Sequence, residues 1–216
     1  MSAVPRVILG SASPARRRVL RGAGLDPVVV VSDVDEDALL AELTDASPEQ
    51  VVIALAAAKA DAIVAALPTP SDDEAGPDAV LLTCDSMLFF DGALSGKPHT
   101  APVAVQQWKR LRGTSAQLIT GHVVTLLRDA APTARASESC STTIHFADID
   151  DATIEAYAAT GEPLSVAGAF TLDGLGGWFV DGIDGDPSSV LGIGLPTTRR
   201  LLAEVGVDVT ALWTTR

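Results

Sequence analysis

A short basic segment near the start of the chain has the residue types of a phosphate-binding site. Ser11 and Ser13 precede a predicted helix that begins at Pro14, and positions 16–18 of its first turns are all arginine. Exposed cations there oppose the helix dipole at a cost of about 0.3–1 kcal/mol each, and a bound anion reverses that sign. The segment therefore predicts a phosphate site, with solvated surface arginines as the alternative.

Lys59 interrupts the apolar face of a second predicted helix. It is the only charged residue between positions 51 and 60, and it shares one helical face with four apolar residues, Val52, Leu55, Ala56 and Ile63. A lysine at such a position either extends its ammonium out at the edge of the apolar surface or points it into a cleft. The sequence leaves both interpretations open.

Two acidic residues follow predicted strands. Asp85 ends the apolar run 79–84, and Glu36 lies in the acidic segment 33–37 that follows the β-branched run 28–31. Carboxylates delivered from two strand ends can hold a hard divalent cation, with water completing its coordination. The alternative is that the acidic segment only caps and solvates a loop.

Other sequence patterns exclude several kinds of enzyme. The segment 92–98 resembles a P-loop, but its glycines are one residue too close and Pro98 replaces the Ser or Thr that holds Mg²⁺. Lys97 can still reach a phosphate as a point charge. The two cysteines and three scattered histidines lack zinc-site spacing, and no GxSxG elbow occurs. The remaining carboxylates, cations and hydroxyls suit metal-assisted attack on a phosphate.

The composition is that of an ordinary globular protein. The chain has 216 residues, 47% of them apolar, and a formal net charge of −13. This charge argues against nucleic acid as a partner, since such binding needs clustered Lys and Arg. No apolar run approaches the length of a membrane span, and the N-terminus lacks the pattern of a signal peptide, so we expect no membrane association and a cytoplasmic location.

The predicted elements alternate early and form hairpins later. This order predicts one α/β domain over 1–216 around a mixed sheet, with 68–78 as a surface loop. The predicted strands span 4–9, 28–31, 80–84, 87–90, 115–128, 139–147 and 178–183. We expect the strand 28–31 to be buried. The predicted helices span 14–21, 48–67, 100–111 and 152–159, with a closing helix that begins at Pro196.

The chain also resembles the Maf family of nucleoside triphosphate pyrophosphatases, whose members are also described as septum-formation inhibitors. The resemblance runs nearly end to end and rests on the order and spacing of many short segments. These segments are LGSASP with Arg16 and Arg17, SDVDE ending at Glu36, LAAAKA around Lys59, CDS at 84–86, DG with GKP at 91–98, TG at 120–121, EAY at 155–157, TGEP at 160–163, AGAF at 167–170, GLG at 174–176 and GDPS at 185–188.

The resemblance implies an inosine-triphosphatase-like fold: an elongated mixed β-sheet, flanked by helices, with a central cleft between two lobes. It implies hydrolysis of a nucleoside triphosphate to the monophosphate and pyrophosphate, with Mg²⁺ or Mn²⁺ held by Glu36 and Asp85. Asp85 matches the presumed general base, and Glu36, Lys59 and Lys97 match other catalytic-site residues. The phosphate-binding loop matches Ser11, Arg16 and Arg17, and Ser13 belongs to the same predicted phosphate site.

Three positions where the family's branches differ leave the preferred base open. After Ser-Pro the branches carry Arg or Trp and this chain has Ala15. After the catalytic Asp they carry Thr or Gln and it has Ser86, and in the glycine-rich loop they carry Gln or Glu and it has Asp173. An ionised Asp173 only accepts hydrogen bonds, which favours a base with N–H donors such as guanine or uracil. Phe170 and Trp178 either stack on the base or belong to the core.

The expected role is the clearance of non-canonical or modified nucleotides or the control of cell division. A different class is a nucleotide-binding regulator of septum formation that acts through a cell-division protein with little turnover. A third is a nucleotidyltransferase that needs an acceptor. The sequence leaves open whether the chain forms a homodimer.

Overall fold

A computed structural model describes residues 5–67 and 78–214. The predicted surface loop 68–78 lies outside these residues apart from Asp78. The described part of the chain forms one seven-stranded mixed sheet. Helices flank this sheet, so the predicted α/β class is confirmed. None of the helices in these two ranges is long and apolar enough to span a bilayer.

The strands are short at one edge of the sheet and long in its middle. Their bounds are β1 Arg6–Leu9, β2 Val28–Val29, β3 Ala79–Phe90, β4 Ala93–Ser95, β5 Ser115–Arg128, β6 Ala131–Phe146 and β7 Val180–Asp184. The strands lie in the order β2-β1-β3-β5-β6-β7, and β4 pairs with β3. β1 runs parallel to β2 and β3, and the other pairs are antiparallel.

The helices of the described residues are α1 Pro14–Gly22, α2 Glu36–Glu42, α3 Pro48–Ala66, α4 Ala101–Leu111, α5 Asp151–Ala159, α6 Pro187–Val190 and α7 Leu195–Glu204. Five of them lie close to the predicted positions, and α2 and α6 were not predicted. Ser13 caps α1, and Ser47 caps α3 in a capping box with Gln50. Both helices have proline in the first turn, where its missing N–H costs nothing.

The predicted strands 80–84 and 87–90 form one continuous strand, β3, so Asp85 lies within a strand and not at its end. Three further predicted elements need correction. The run 28–31 is not a buried strand: only Val28 and Val29 pair, at the sheet edge, and Val28 is 56% exposed. The acidic segment is not wholly a loop, because Asp35 accepts a hydrogen bond from the Ala38 N–H and starts α2.

The third correction concerns the central hairpin. β6 begins at Ala131, not at 139, because the turn consists only of Asp129 and Ala130. Both turn residues have positive φ, 50° and 59°, as in the tight turns that match the twist of a hairpin. Propensity alone does not predict positive φ at an alanine.

The core is divided along the sheet. One cluster packs α1 and α7 against β1, β3 and β5. Another surrounds the fully buried Trp108, whose ring makes edge-to-face contacts with Phe146, Tyr157 and Phe179. Between them α3 crosses the sheet so closely that a Cβ on Gly121 would lie 2.4 Å from the Val52 carbonyl. This close approach brings the side chains of α3 down to those of β3.

Candidate functional site

Lys59 links two carboxylates from different elements. Its Nζ lies 2.5 Å from Asp85 Oδ1 and 2.9 Å from Glu36 Oε1. Its side chain is 12% exposed, that of Asp85 10% and that of Glu36 41%. The apolar face of α3 thus directs Lys59 toward the sheet, where β3 presents Asp85 and the first residue of α2 presents Glu36. Lys59 therefore does not extend its ammonium out at the edge of the apolar surface but directs it between two carboxylates.

The carboxylate oxygens of Asp85 and Glu36 that Lys59 does not contact are suited to bind a divalent cation. Among the described residues no hydrogen bond reaches Asp85 Oδ2 or Glu36 Oε2. Within the same part of the chain no three His, Cys, Asp or Glu side chains gather into a closed metal cage. Mg²⁺ commonly uses one or two carboxylates together with substrate phosphates and water. Glu36 and Asp85 fit that mode of binding.

Arg16 connects three distant parts of the chain next to Asp85. Its Nε donates to the Gly192 carbonyl at 2.7 Å, and Nη1 donates to the Cys84 carbonyl at 2.7 Å and to Ser11 Oγ at 3.1 Å. Nη2 donates to Ser86 Oγ at 3.2 Å. A guanidinium has five N–H donors, so only one remains on Nη2. Arg16 therefore fixes the site and retains little capacity to bind phosphate itself.

An open cleft of about 350 Å³ lies at the N-terminus of α1. Its walls include Ser11, Ser13, Arg17, Arg18 and Arg21. Ser13 Oγ accepts from the Arg16 N–H at 3.4 Å, and Ser11 Oγ accepts from the Ser13 N–H at 3.1 Å. The cleft therefore combines hydroxyls, a helix N-terminus and three cations, the composition of an anion site.

The arginines of this cleft differ in their partners. Arg21 pairs with Asp26 at 2.8 Å, and Arg18 pairs with Asp173 at 2.5 Å. Arg17 is exposed, and no carboxylate of residues 5–67 or 78–214 lies within ion-pair distance of it. Arg17 is consequently the arginine of this cleft with its charge available to a ligand.

The remaining predicted positions are less tightly connected. Ser86 Oγ lies 2.9 Å from Thr120 Oγ1, next to Arg16. Ala15 lies beside it on α1 and contributes no polar group. Lys97 is exposed and makes no hydrogen bond or ion pair with the described residues. Its turn is tied to the glycine-rich loop, because the Gly168 N–H donates to the Gly96 carbonyl at 3.3 Å.

The glycine-rich loop is anchored by Glu162. Glu162 Oε1 accepts from Thr171 Oγ1 at 2.5 Å, the Gly176 N–H at 3.0 Å and the Tyr157 hydroxyl at 3.2 Å. Burial raises the pKa of Glu162, but these hydrogen bonds outweigh it, and the pKa falls below its usual value. A side chain on Gly176 would collide with the Tyr157 hydroxyl at 2.5 Å. The loop that carries Asp173 is therefore held rigidly.

The two aromatic candidates for base stacking behave differently. Phe170 is 4% exposed and packs edge-to-face on Phe146, so it belongs to the core. Trp178 is 83% exposed and is free to contact a ligand.

His122 is a site-supporting residue that sequence reasoning missed. It is 1% exposed, and its Nε2 accepts from the Gly194 N–H at 2.8 Å. Burial, and then the positive charge of Arg16, lower its pKa to about 4, so the ring is neutral at pH 7. It thereby holds the segment whose Gly192 carbonyl binds Arg16. His122 and Gly194 are 72 residues apart, so no local sequence motif predicts the contact.

Comparisons with known proteins show which family the chain is similar to. A family model described as Maf-like protein matches residues 6–205. The chain is 58% identical over 208 residues to a protein of Nocardia farcinica named nucleoside triphosphate pyrophosphatase, with 96% of each chain covered. It is 54% identical over 209 residues to one of the same name from Saccharopolyspora erythraea, covering 96% of this chain and 97% of that one. The chain therefore belongs to the Maf family.

Proposed function

We propose that the protein hydrolyses nucleoside triphosphates to the monophosphate and pyrophosphate. The observation that carries the proposal is the Lys59 ammonium between Asp85 and Glu36, joined to the arginine-lined cleft through Arg16 and Ser11. The names of the relatives support the same activity.

Asp85 is the proposed general base. Its Oδ1 accepts from Lys59, which leaves Oδ2 to accept a proton from water. The water oxygen bonds to the α-phosphorus, the bond from that phosphorus to the oxygen bridging the α- and β-phosphates breaks, and pyrophosphate leaves with the bonding electrons. Lys59 holds the orientation of Asp85, and Arg17 offers charge to the triphosphate, so the work is positioning and electrostatics.

Mg²⁺ or Mn²⁺ is the proposed cofactor, held by Glu36 and Asp85. Bound there, the cation would neutralise charge on the triphosphate oxygens. The free carboxylate oxygens of both residues support this assignment.

We further propose a biological role in clearing non-canonical or modified nucleotides, or in cell-division control, in the cytoplasm. Lys97 is retained as a proposed phosphate contact, because its exposed ammonium makes no ion pair with a described residue.

The test is pyrophosphate release from a panel of canonical and modified triphosphates with Mg²⁺ or Mn²⁺. Asp85→Asn keeps the side-chain shape and removes the base, and we expect at least a hundredfold loss of turnover. Asp61→Asn is the matched control, since Asp61 is also ion-paired but is 65% exposed.

Wild-type turnover in Asp85→Asn would contradict the assignment of the base. Tight nucleotide binding with no turnover above buffer would favour the regulator instead. Pyrophosphate that appears only after an acceptor is added would favour a nucleotidyltransferase.

A further inference from the structure

A serine, a histidine and an aspartate are linked by hydrogen bonds at the end of β5 that lies away from Asp85. Ser115 Oγ lies 2.7 Å from His145 Nδ1, and His145 Nε2 lies 2.9 Å from Asp184 Oδ2. Asp85 pairs with Gly121, and at about 3.4 Å per residue Ser115 lies about 20 Å further along β5. This Ser115 triad, made of Ser115, His145 and Asp184, is therefore separate from the proposed pyrophosphatase site.

The register of the strands puts the side chains of the Ser115 triad on one face of the sheet. Ser115 in β5 is directly opposite His145 in β6. Thr143, two residues before His145, is directly opposite Asp184 in β7. Residues that are opposite each other, or two apart along a strand, point to the same face. The sheet itself thus holds the three side chains together.

The hydrogen bonds also fix where the protons lie. An ionised aspartate only accepts hydrogen bonds, so His145 Nε2 donates to Asp184. In the neutral ring Nδ1 is then an acceptor, and it takes the hydrogen bond of the Ser115 hydroxyl. A hydroxyl, a base that accepts its proton and a carboxylate that orients the base are the parts of a serine hydrolase site. No GxSxG elbow marks this serine, because it begins a strand and not a helix.

An open cavity of about 340 Å³ adjoins the serine hydroxyl. Its walls include Phe89, Phe90, Ser115 and Gln117. Both phenylalanines are partly buried in neighbouring core clusters, so they give the cavity a fixed apolar side. Among the described residues that form the walls none is lysine or arginine. The cavity therefore suits a small uncharged ligand with an apolar group.

Gln117 adds a hydrogen-bond donor beside the hydroxyl. It lies two residues after Ser115 in β5, so its side chain points to the same face of the sheet. It is exposed, and its amide makes no hydrogen bond with a described residue. A side-chain amide of this kind can stabilise the negative oxygen that develops when a hydroxyl attacks a carbonyl group.

We propose that Ser115, His145, Asp184 and Gln117 form a second catalytic site that hydrolyses small uncharged esters with an apolar acyl group. Ser115 Oγ bonds to the carbonyl carbon, and its proton passes to His145 Nδ1. The bond from that carbon to the alcohol oxygen breaks, and the alcohol leaves with this proton. Water then attacks the acyl carbon and gives a proton to His145. The Ser115 oxygen leaves, takes that proton back, and the carboxylic acid is released.

The two remaining residues of the site position and stabilise the reacting groups. Asp184 keeps the imidazole ring oriented and balances its positive charge while it holds the proton. Gln117 donates to the carbonyl oxygen. The apolar acyl group lies against Phe89 and Phe90.

The experiment treats the full chain with p-nitrophenyl butyrate, an uncharged ester with an apolar acyl group. We expect release of nitrophenolate, and mass spectrometry of the protein acid-quenched after a few seconds should show a butyryl group on Ser115. Ser115→Ala should remove this label, and His145→Gln should slow its appearance about a hundredfold or more, because it removes the base. Ser137→Ala is the matched control, since Ser137 is an exposed serine of β6 that is bonded to no histidine among the described residues.

Two results would overturn the inference. The first is butyrylation of lysine or histidine side chains with none at Ser115, because such groups react with activated esters without a built site. The second is equal labelling of Ser115 in the wild type and in His145→Gln, which would show that the hydroxyl is not activated. Thermal unfolding of each variant at the wild-type temperature establishes that lost labelling is not lost folding.

Discussion

Arg16 donates from Nε to the carbonyl of Gly192, 176 residues later, at 2.7 Å. The same guanidinium reaches the carbonyl of Cys84, the residue before Asp85. One side chain thus sets the separation between the first helix, the central strand and the segment before the last helix. Arg16 and Arg17 are neighbours in sequence, but Arg16 holds parts of the fold together, whereas the charge of Arg17 is available to a ligand.

Replacing each of these two arginines by alanine should separate stability from binding. Arg16→Ala removes charged hydrogen bonds from partly buried carbonyls, and we expect a loss of about 2 kcal/mol in the free energy of unfolding. Arg17→Ala should change that free energy by less than about 0.5 kcal/mol and raise KM about tenfold or more. Urea denaturation and steady-state kinetics measure both. A large loss of stability in Arg17→Ala would show that its side chain is not free.

Replacing Lys59 by methionine tests the buried ion-pair group. The change leaves Asp85 buried without its cation, so we expect a loss of about 3 kcal/mol in stability and at least a hundredfold loss of turnover. The double variant Lys59→Met with Asp85→Asn should recover much of the stability and none of the activity. If the double variant is no more stable than Lys59→Met, the lost cation is not what destabilises the single variant.

The ionisation of His122 predicts a specific pH dependence of stability. Its pKa is lowered to about 4 in the folded protein, so between pH 4 and its usual pKa near 6.5 the unfolded chain binds more protons. Stability should therefore rise with pH across this window, by about 3 kcal/mol for this group, and be complete above it.

His122→Gln isolates this contribution, because its amide oxygen can still accept from the Gly194 N–H. The difference in unfolding free energy between the wild type and His122→Gln, measured at pH 4.5 and pH 7, should change by much of that amount. A constant difference would show that His122 does not titrate in this way.

Replacing Gly121 and Gly22 by alanine should change the free energy of unfolding in opposite directions. A Cβ on Gly121 would lie 2.4 Å from backbone atoms of Val52, so Gly121→Ala should cost about 1–3 kcal/mol by pushing α3 off the sheet. A Cβ on Gly22 would meet no atom within 4 Å, and we expect Gly22→Ala to stabilise by about 0.4–1 kcal/mol. Thermal unfolding of both variants checks this. Equal changes in stability in the two variants would mean that α3 and the sheet can move apart without cost.

Local patterns predicted the helices well because caps and prolines mark their ends. Ser13-Pro14 and Ser47-Pro48 stand where helices begin. The same logic failed for 28–31, because a β-branched run predicts extended backbone but not whether the strand has neighbours on both sides. Likewise Lys59 was identified as unusual from its apolar face, while only the tertiary packing decides that it faces Asp85.

Residues joined across the whole chain could not be predicted from spacing. His122 with Gly194, and Arg18 with Asp173, are pairs far apart in sequence and without a local motif. The contact of His122 arises because β5 packs against the C-terminal part of the chain beside α1.

The long-range hydrogen bonds of Arg16 also determine when the surroundings of Asp85 can form during synthesis of the chain. A ribosome releases the first helix and strand long before Gly192 and Gly194 leave the exit tunnel. Until then the Arg16 guanidinium lacks the Gly192 carbonyl, and Arg16 is not yet fixed in its position next to Asp85. The surroundings of Asp85 therefore cannot be completed before the segment 192–194 has emerged from the ribosome.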